Sequence, residues 1–147
     1  MFRITSFALV LMLAAGASAC GGGSDSPTAP SANVPFTQTD LRVGTGAEAT
    51  NGRRVTVNYS GWLYAAGAVD NKGSLFDSSL SAGRTPFVFL VGGSQVIAGW
   101  DRGVVGMRVG GQRRLIIPPD LGYGAAGSGP IPGNATLVFD IELLSVQ

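Results

Sequence analysis

The sequence contains no histidine and a single cysteine, Cys20. A zinc site of histidine and cysteine ligands, a Ser-His-Asp triad and an intrachain disulfide framework are therefore excluded. Charged residues make up only 13% of the chain, ten of them basic and nine acidic. Because nucleic-acid binding needs a basic surface to neutralise phosphates, we predict no nucleic-acid partner. We also predict neither a metal site nor a cofactor.

The first 19 residues have the pattern of a signal peptide rather than of a folded element. Arg3 precedes the apolar run ITSFALVLMLAAG, which is too short to span a bilayer. The segment Ala17-Ser18-Ala19 suits ordinary signal peptidase, whereas Ala19-Cys20 resembles a bacterial lipoprotein box. We favour the second interpretation, in which Cys20 is lipidated, and keep simple secretion as the alternative.

Residues 20–34 have the composition of a flexible tether. The sequence CGGGSDSPTAPSAN is rich in glycine, serine and proline, as expected for a segment between a membrane anchor and a domain. We therefore expect one globular domain at 35–147, outside the cytoplasm, on a lipoprotein that is periplasmic or exposed at the cell surface. We expect that domain to be a monomer.

The domain reads mainly as β-strands with one helix. Alternating or short apolar runs predict strands in RRVTVNY (53–59), PFVFLVG (86–92), QRRLIIPP (112–119) and TLVFDIELLSV (136–146), and more weakly in FTQTDLRVG (36–44). The set predicts an α+β domain in which an antiparallel sheet of about five strands covers a single helix.

The helix candidate SQVIAGWDRGVVGM (94–107) combines a helical apolar face with poor helix formers. Ile97, Trp100, Val104 and Met107 are spaced three or four residues apart, but three glycines interrupt the segment. Each interior glycine costs about 1 kcal/mol relative to alanine. Packing must offset this cost, and the glycines would let the helix approach the sheet closely.

Six segments, taken in order, resemble the FKBP family of peptidyl-prolyl cis-trans isomerases. They are VTVNYSGWL, LFDSS, PFVFLVG, QVIAGWDRGVVGM, LIIPPDLGYG and NATLVFDIELL, and the match as a whole runs from about residue 37 to residue 146. The resemblance implies a half-barrel sheet wrapped around the short helix, with a shallow apolar pocket between them. It also implies an isomerase that accelerates rotation about Xaa-Pro bonds, with proline-containing polypeptides as substrates and macrolide inhibitors as competitors.

The resemblance assigns pocket residues position by position. It implies catalytic roles for Tyr59, Asp77 and Tyr123, and substrate-binding roles for Phe76, Phe87, Val96, Ile97, Trp100, Ile131 and Phe139. Trp100 would be the pocket floor, Ile131 would lie near the rim, and Arg84 would partner Asp77. Without the family, Phe87, Val96 and Phe139 are interpreted as core, and Asp77-Ser78-Ser79 as a turn.

Two segments depart from the family pattern. YAAGAVDNKGS (64–74) is longer than in the smallest members, and Asp70-Asn71-Lys72-Gly73 resembles the turn of an extended hairpin. The loop GAAGSGPIPG (124–133) is shorter than in well-known eukaryotic members. We predict an isomerase of exported, partly folded proteins. The alternative is a chaperone module that binds proline-containing segments without catalysis.

Overall fold

The computed structural model describes residues 34–147, so the predicted signal peptide, Cys20 and nearly all of the predicted tether lie outside the described residues. The described chain forms one six-stranded sheet and one α-helix. The elements are β1 (Thr37–Arg42), β2 (Arg54–Tyr64), β3 (Lys72–Ser78), β4 (Phe87–Leu90), α1 (Ala98–Gly103), β5 (Gln112–Ile117) and β6 (Leu137–Val146). The strand order is β1-β5-β6-β2-β3, with β4 also paired to β2, and all pairs are antiparallel.

Strand alternation produces the core. Along β6, Leu137, Phe139, Ile141 and Leu143 are buried, and Leu115 and Ile117 of β5 are fully buried opposite them. Because side chains alternate across a strand, these residues share the inner face of the sheet, which α1 covers. The predicted α+β architecture is therefore confirmed.

The central strand β2 creates the opening for a pocket. It pairs with β6 along nearly its whole length, from Val55 to Leu63. Its other edge is divided, because β4 pairs with residues 54–57 and β3 pairs from Ser60 onward. Tyr59 lies between these two pairings, where β3 and β4 diverge.

Helix α1 is shorter than the apolar spacing over 94–107 suggests. Ser94 has φ 55° and Gly106 has φ 83°, both outside the helical region, so only residues 98–103 are helical. The apolar face persists beyond the helix, since Trp100, Val104 and Met107 are all at least nine-tenths buried.

The two glycines inside α1 allow close contact with β5. A Cβ atom on Gly99 would lie 2.6 Å from Ile117 Cγ2, and one on Gly103 would lie 2.5 Å from Leu115 Cδ1. Any larger residue would force the helix away from the sheet. The low helix propensity of this segment is thus the cost of close packing.

The structure adds β3, which the sequence reading did not identify as a strand. Lys72 and Gly73, expected at a hairpin tip, are the first residues of β3, and the turn lies earlier, with a single 3-10 turn at Val69–Asn71. Asp77 and Ser78 are the last residues of β3, so the interpretation of these two as a turn is wrong. Within residues 34–147, no helix has the length and apolar character needed to cross a membrane.

Candidate functional site

A pocket of about 170 Å³ opens where β3 and β4 diverge from β2. Every strand but β1 and β5, together with α1 and two loops, contributes to its wall. The lining residues are Tyr59, Phe76, Asp77, Phe87, Gln95, Val96, Ile97, Trp100, Tyr123 and Phe139. Nine of the ten residues that the sequence reading placed at the site therefore share one cavity.

Trp100 forms the floor of the pocket. It is 5% exposed, and four aromatic rings surround it at centroid distances between 5.1 and 6.1 Å. Tyr59, Phe139 and Phe87 meet it edge to face, the arrangement that the ring quadrupoles favour. This packing fixes the indole, so a ligand meets a rigid apolar surface.

One wall carries a charged hydrogen-bonded group. The Tyr59 hydroxyl donates to Asp77 Oδ2 at 2.5 Å, and Arg84 Nη2 donates to Asp77 Oδ1 at 2.9 Å. The Ser78 backbone N–H also donates to Asp77 Oδ1, at 2.9 Å. The expected partnership of Arg84 with Asp77 is thus present. With these donors, the carboxylate is held in one orientation at the pocket edge.

The two pocket tyrosines keep their protons to high pH. Burial raises the pKa of Tyr59 above the usual 10.0, and its hydrogen bond to Asp77 raises it further against the opposing effect of Arg84. Burial likewise raises the pKa of Tyr123, with a smaller contribution from the charge of Asp77. Both groups are therefore hydrogen-bond donors at neutral pH.

The loop before α1 forms a further wall, and Asp101 holds it in place. Its two carboxylate oxygens accept from the backbone N–H groups of Gly92 and Ser94 at 2.9 and 3.1 Å. Gln95 Oε1 accepts from the Leu90 N–H at 3.0 Å, which orients Gln95 beside the pocket. Sequence reasoning missed Gln95, because a lone glutamine in a loop carries no signal of function.

Ile131 lies apart from the other predicted residues. It is 6% exposed and lines an adjacent cavity of about 190 Å³ that shares Phe76, Asp77 and Tyr123 with the main pocket. Ser128, Gly129 and Pro130 complete this neighbouring cavity. The expected position of Ile131 near the rim corresponds to this second depression. Within residues 34–147, no cluster of three potential metal ligands occurs.

Comparison with known families identifies the domain. Residues 46–144 match the family described as FKBP-type peptidyl-prolyl cis-trans isomerase. The chain belongs to this family. Among curated relatives, the FK506-binding protein of Neisseria meningitidis serogroup A is 49% identical over 108 residues, which are 73% of this chain and 92% of the relative. FK506-binding protein 4 of Dictyostelium discoideum is 52% identical over 107 residues, 72% of this chain but 27% of the relative.

Solved structures agree with the family assignment. AtFKBP13 is 37% identical, with a TM-score of 0.66 over 76% of this chain and 93% of its own. FkpA from Escherichia coli is 40% identical, with a TM-score of 0.64 over 76% of this chain and 48% of its own. The domain is an FKBP-type isomerase, as its sequence motifs predicted, and its sheet and short helix match the fold of these neighbours.

Proposed function

We propose that this isomerase accelerates Xaa-Pro rotation in exported, partly folded proteins, using the aromatic pocket as its active site. One observation carries the proposal: a buried tryptophan lies among aromatic side chains in the same pocket as Asp77 and Tyr123. A proline ring is compact and apolar, so it suits such a floor.

The reaction suits a pocket of this kind. Rotation about a peptide bond faces a barrier of about 18–20 kcal/mol, because the C–N bond has partial double-bond character. The twisted transition state has lost this resonance, and its carbonyl is less dipolar than in the planar ground state. A poorly hydrated site therefore favours the twisted form, which is catalysis by differential stabilisation of the transition state.

Each polar group at the edge has a proposed part. The hydroxyl of Tyr123, a residue that is 37% exposed, donates to a substrate carbonyl. Asp77, held by the Tyr59 hydroxyl, orients substrate groups at the pocket edge. The backbone N–H of Ile97 offers a second donor to the substrate. The backbone carbonyl of Ile97 is already used, because it accepts from the Trp100 N–H at 2.9 Å in the first turn of α1.

A pair of assays tests catalysis against the chaperone alternative. Residues 34–147 should accelerate the isomerisation of a short Xaa-Pro peptide. The same protein should give little protection against aggregation to an unfolding client protein whose folding has no slow proline isomerisation step. Protection of that client with no acceleration of the peptide would overturn the catalytic proposal and favour a binding module.

We further propose that macrolides of the FK506 type occupy this pocket, since curated relatives carry the name FK506-binding protein. The test uses Trp62→Phe protein, in which Trp100 is the single remaining tryptophan. FK506 should change the Trp100 emission and abolish peptide isomerisation in parallel. Inhibition without any change in emission would contradict binding over Trp100.

Lipidation of Cys20 and export are proposed from the sequence alone, through the segment ASAC and the glycine-rich tether. The full chain should take up labelled fatty acid and partition into detergent, whereas Cys20→Ala should do neither. Equal partitioning of the two proteins into the aqueous phase would contradict the anchor and leave the secreted form.

A further inference from the structure

Arg113 is a buried cation on the apolar face of β5. It is 7% exposed, and it shares that face with Leu115 and Ile117, which are fully buried. Side chains two residues apart on a strand point the same way, so these three lie in a row beneath α1. A buried arginine is unusual unless it is fully paired, and its partners show what it does here.

The guanidinium of Arg113 joins the carboxyl end of α1 to the edge strand β1. Nη1 donates to the carbonyl oxygens of Gly103 at 2.9 Å and Val105 at 3.0 Å. On its other side, Nε and Nη2 donate to the two carboxylate oxygens of Asp40 at 2.6 and 3.2 Å. Because the planar fork has a fixed geometry, holding Asp40 with two bonds also fixes where the helix carbonyls must lie.

The row on β5 therefore contacts α1 at three points. Ile117 lies against Gly99, Leu115 lies against Gly103, and Arg113 bonds to the Gly103 carbonyl. The two glycine contacts limit how closely the helix approaches the sheet. Arg113 adds directional hydrogen bonds to the carboxyl end of the helix.

We propose that Arg113, held by Asp40, is a positioning residue that sets the height of Trp100 in the pocket. The inference rests on the proposed function, in which Trp100 is the catalytic floor. A six-residue helix has little stability of its own, so its position depends on external contacts. A shift of α1 along its axis moves the indole directly, since Trp100 lies one turn before the bonded carbonyl.

The sheet offers a matched control one residue away. Arg114 makes an equivalent two-bond contact with Asp140, at 2.7 and 2.9 Å, and it also bonds to Asp70. Adjacent residues on a strand point to opposite faces, so this pair lies on the side of the sheet away from α1. Breaking it should lower stability without moving Trp100.

The test compares Arg113→Lys and Asp40→Asn with Arg114→Lys and Asp140→Asn, all in the Trp62→Phe background and at a temperature where each protein is folded. Lysine retains the charge but cannot hold Asp40 and the helix carbonyls with one rigid fork. We expect the first pair to lower kcat/KM by about three- to thirtyfold, mainly through kcat, below the hundredfold that a 1 Å misplacement can cost. Acrylamide quenching and the emission maximum of Trp100 should change in the same two variants.

The control variants should keep wild-type quenching and kcat/KM. Equal changes in both pairs would mean general loosening and would overturn the inference, as would wild-type quenching in the first pair. Should Arg113→Lys fail to fold, Asp40→Asn decides, because Asp40 has a 42% exposed side chain on an edge strand. Since quenching needs no turnover, an inactive wild type would refute the proposed function while this comparison still tests Arg113.

Discussion

Tyr59 and Tyr123 bring two hydroxyl groups to one pocket, but only one of them is available to a substrate. The Tyr59 hydroxyl donates to Asp77 Oδ2 at 2.5 Å, whereas Tyr123 is 37% exposed. We therefore propose that the first fixes the pocket wall and that the second contacts the substrate.

Replacing Tyr123 measures the value of its hydrogen bond. Tyr123→Phe keeps the ring and removes the donor, so kcat/KM should fall by up to about tenfold, the equivalent of one neutral hydrogen bond of about 0.5–1.5 kcal/mol. Tyr64→Phe, at the far end of β2, is the control and should leave the rate unchanged. Equal rates for Tyr123→Phe and wild type would remove this hydroxyl from the mechanism.

The pH profile tests whether a proton moves during the reaction. The chain contains no histidine, and the pKa values of Tyr59 and Tyr123 are both raised above the usual 10.0. Both hydroxyls thus stay protonated at neutral pH, and kcat/KM should be constant from about pH 5.5 to 8, roughly the histidine window. Loss of activity is expected only above about pH 10, where tyrosine ionises. A bell-shaped profile of tenfold amplitude inside the window, in folded protein, would indicate a proton-transfer step.

At the scale of elements, the close contact between α1 and β5 depends on the glycines inside the helix. Gly103→Ala should improve helix propensity by about 1 kcal/mol. It should nevertheless destabilise the protein by about 1–3 kcal/mol, because its Cβ would lie 2.5 Å from Leu115 Cδ1. Denaturant unfolding measures the difference.

A double variant separates crowding from other causes of this loss. Leu115→Ala removes the crowding atoms, so Gly103→Ala should cost less in that background than in wild type, although Leu115→Ala itself costs about 2–5 kcal/mol. Strict additivity of the two free-energy changes would mean that the glycine is not needed for close approach.

How much of these elements the sequence predicts depends on the kind of signal each carries. Strands β2, β5 and β6 and the buried face of α1 follow from apolar spacing, which reports burial directly. The start of α1 does not, because nothing in the residue type of Ser94 predicts its positive φ of 55°. The end is ambiguous from sequence, because three glycines lie within the segment and only Gly106 has a positive φ. Strand β3 is not predicted from the sequence, because its apolar residues Leu75 and Phe76 are adjacent rather than alternating. Bulges also interrupt its pairing with β2.

The site divides in the same way. The family motifs located nine residues of the pocket, but Gln95 was missed, and Arg113 had no signal beyond its place in a strand. Its function depends on contacts with α1 and β1, which are distant in sequence. Pairings of this kind are visible only once the chain is folded.

For the molecule as a whole, a charged network ties the β2–β3 connection to the outer face of the sheet. Asp140 accepts from Lys72 Nζ at 2.6 Å and from Arg114 Nε at 2.7 Å, and Arg114 also bonds to Asp70 in the connection. Burial alone would raise the pKa of Asp140, but the bonds from Arg114 and Lys72 outweigh it and hold that pKa below the usual value.

This network predicts a specific acid sensitivity. Since the folded protein has the lower Asp140 pKa, the carboxylate contributes stability above about pH 4, the unfolded value, and that stability is lost as pH falls below it. Asp140→Asn should cost about 1–3 kcal/mol at pH 7 and reduce the loss of unfolding free energy on acidification. Asp120→Asn, at an exposed carboxylate, is the control. Identical pH dependence in wild type and Asp140→Asn would contradict the lowered pKa.

The central claim is that isomerisation depends on a dry, rigid tryptophan floor, and the peptide kcat/KM of Trp100→Ala tests it most directly. The substitution leaves a cavity open to water beneath the proline ring. Activity should therefore fall by more than about tenfold, beyond the loss from a single hydrogen bond in Tyr123→Phe. The measurement is made at a temperature where circular dichroism shows both variants folded. A folded Trp100→Ala protein that isomerises the peptide as fast as wild type would contradict the account.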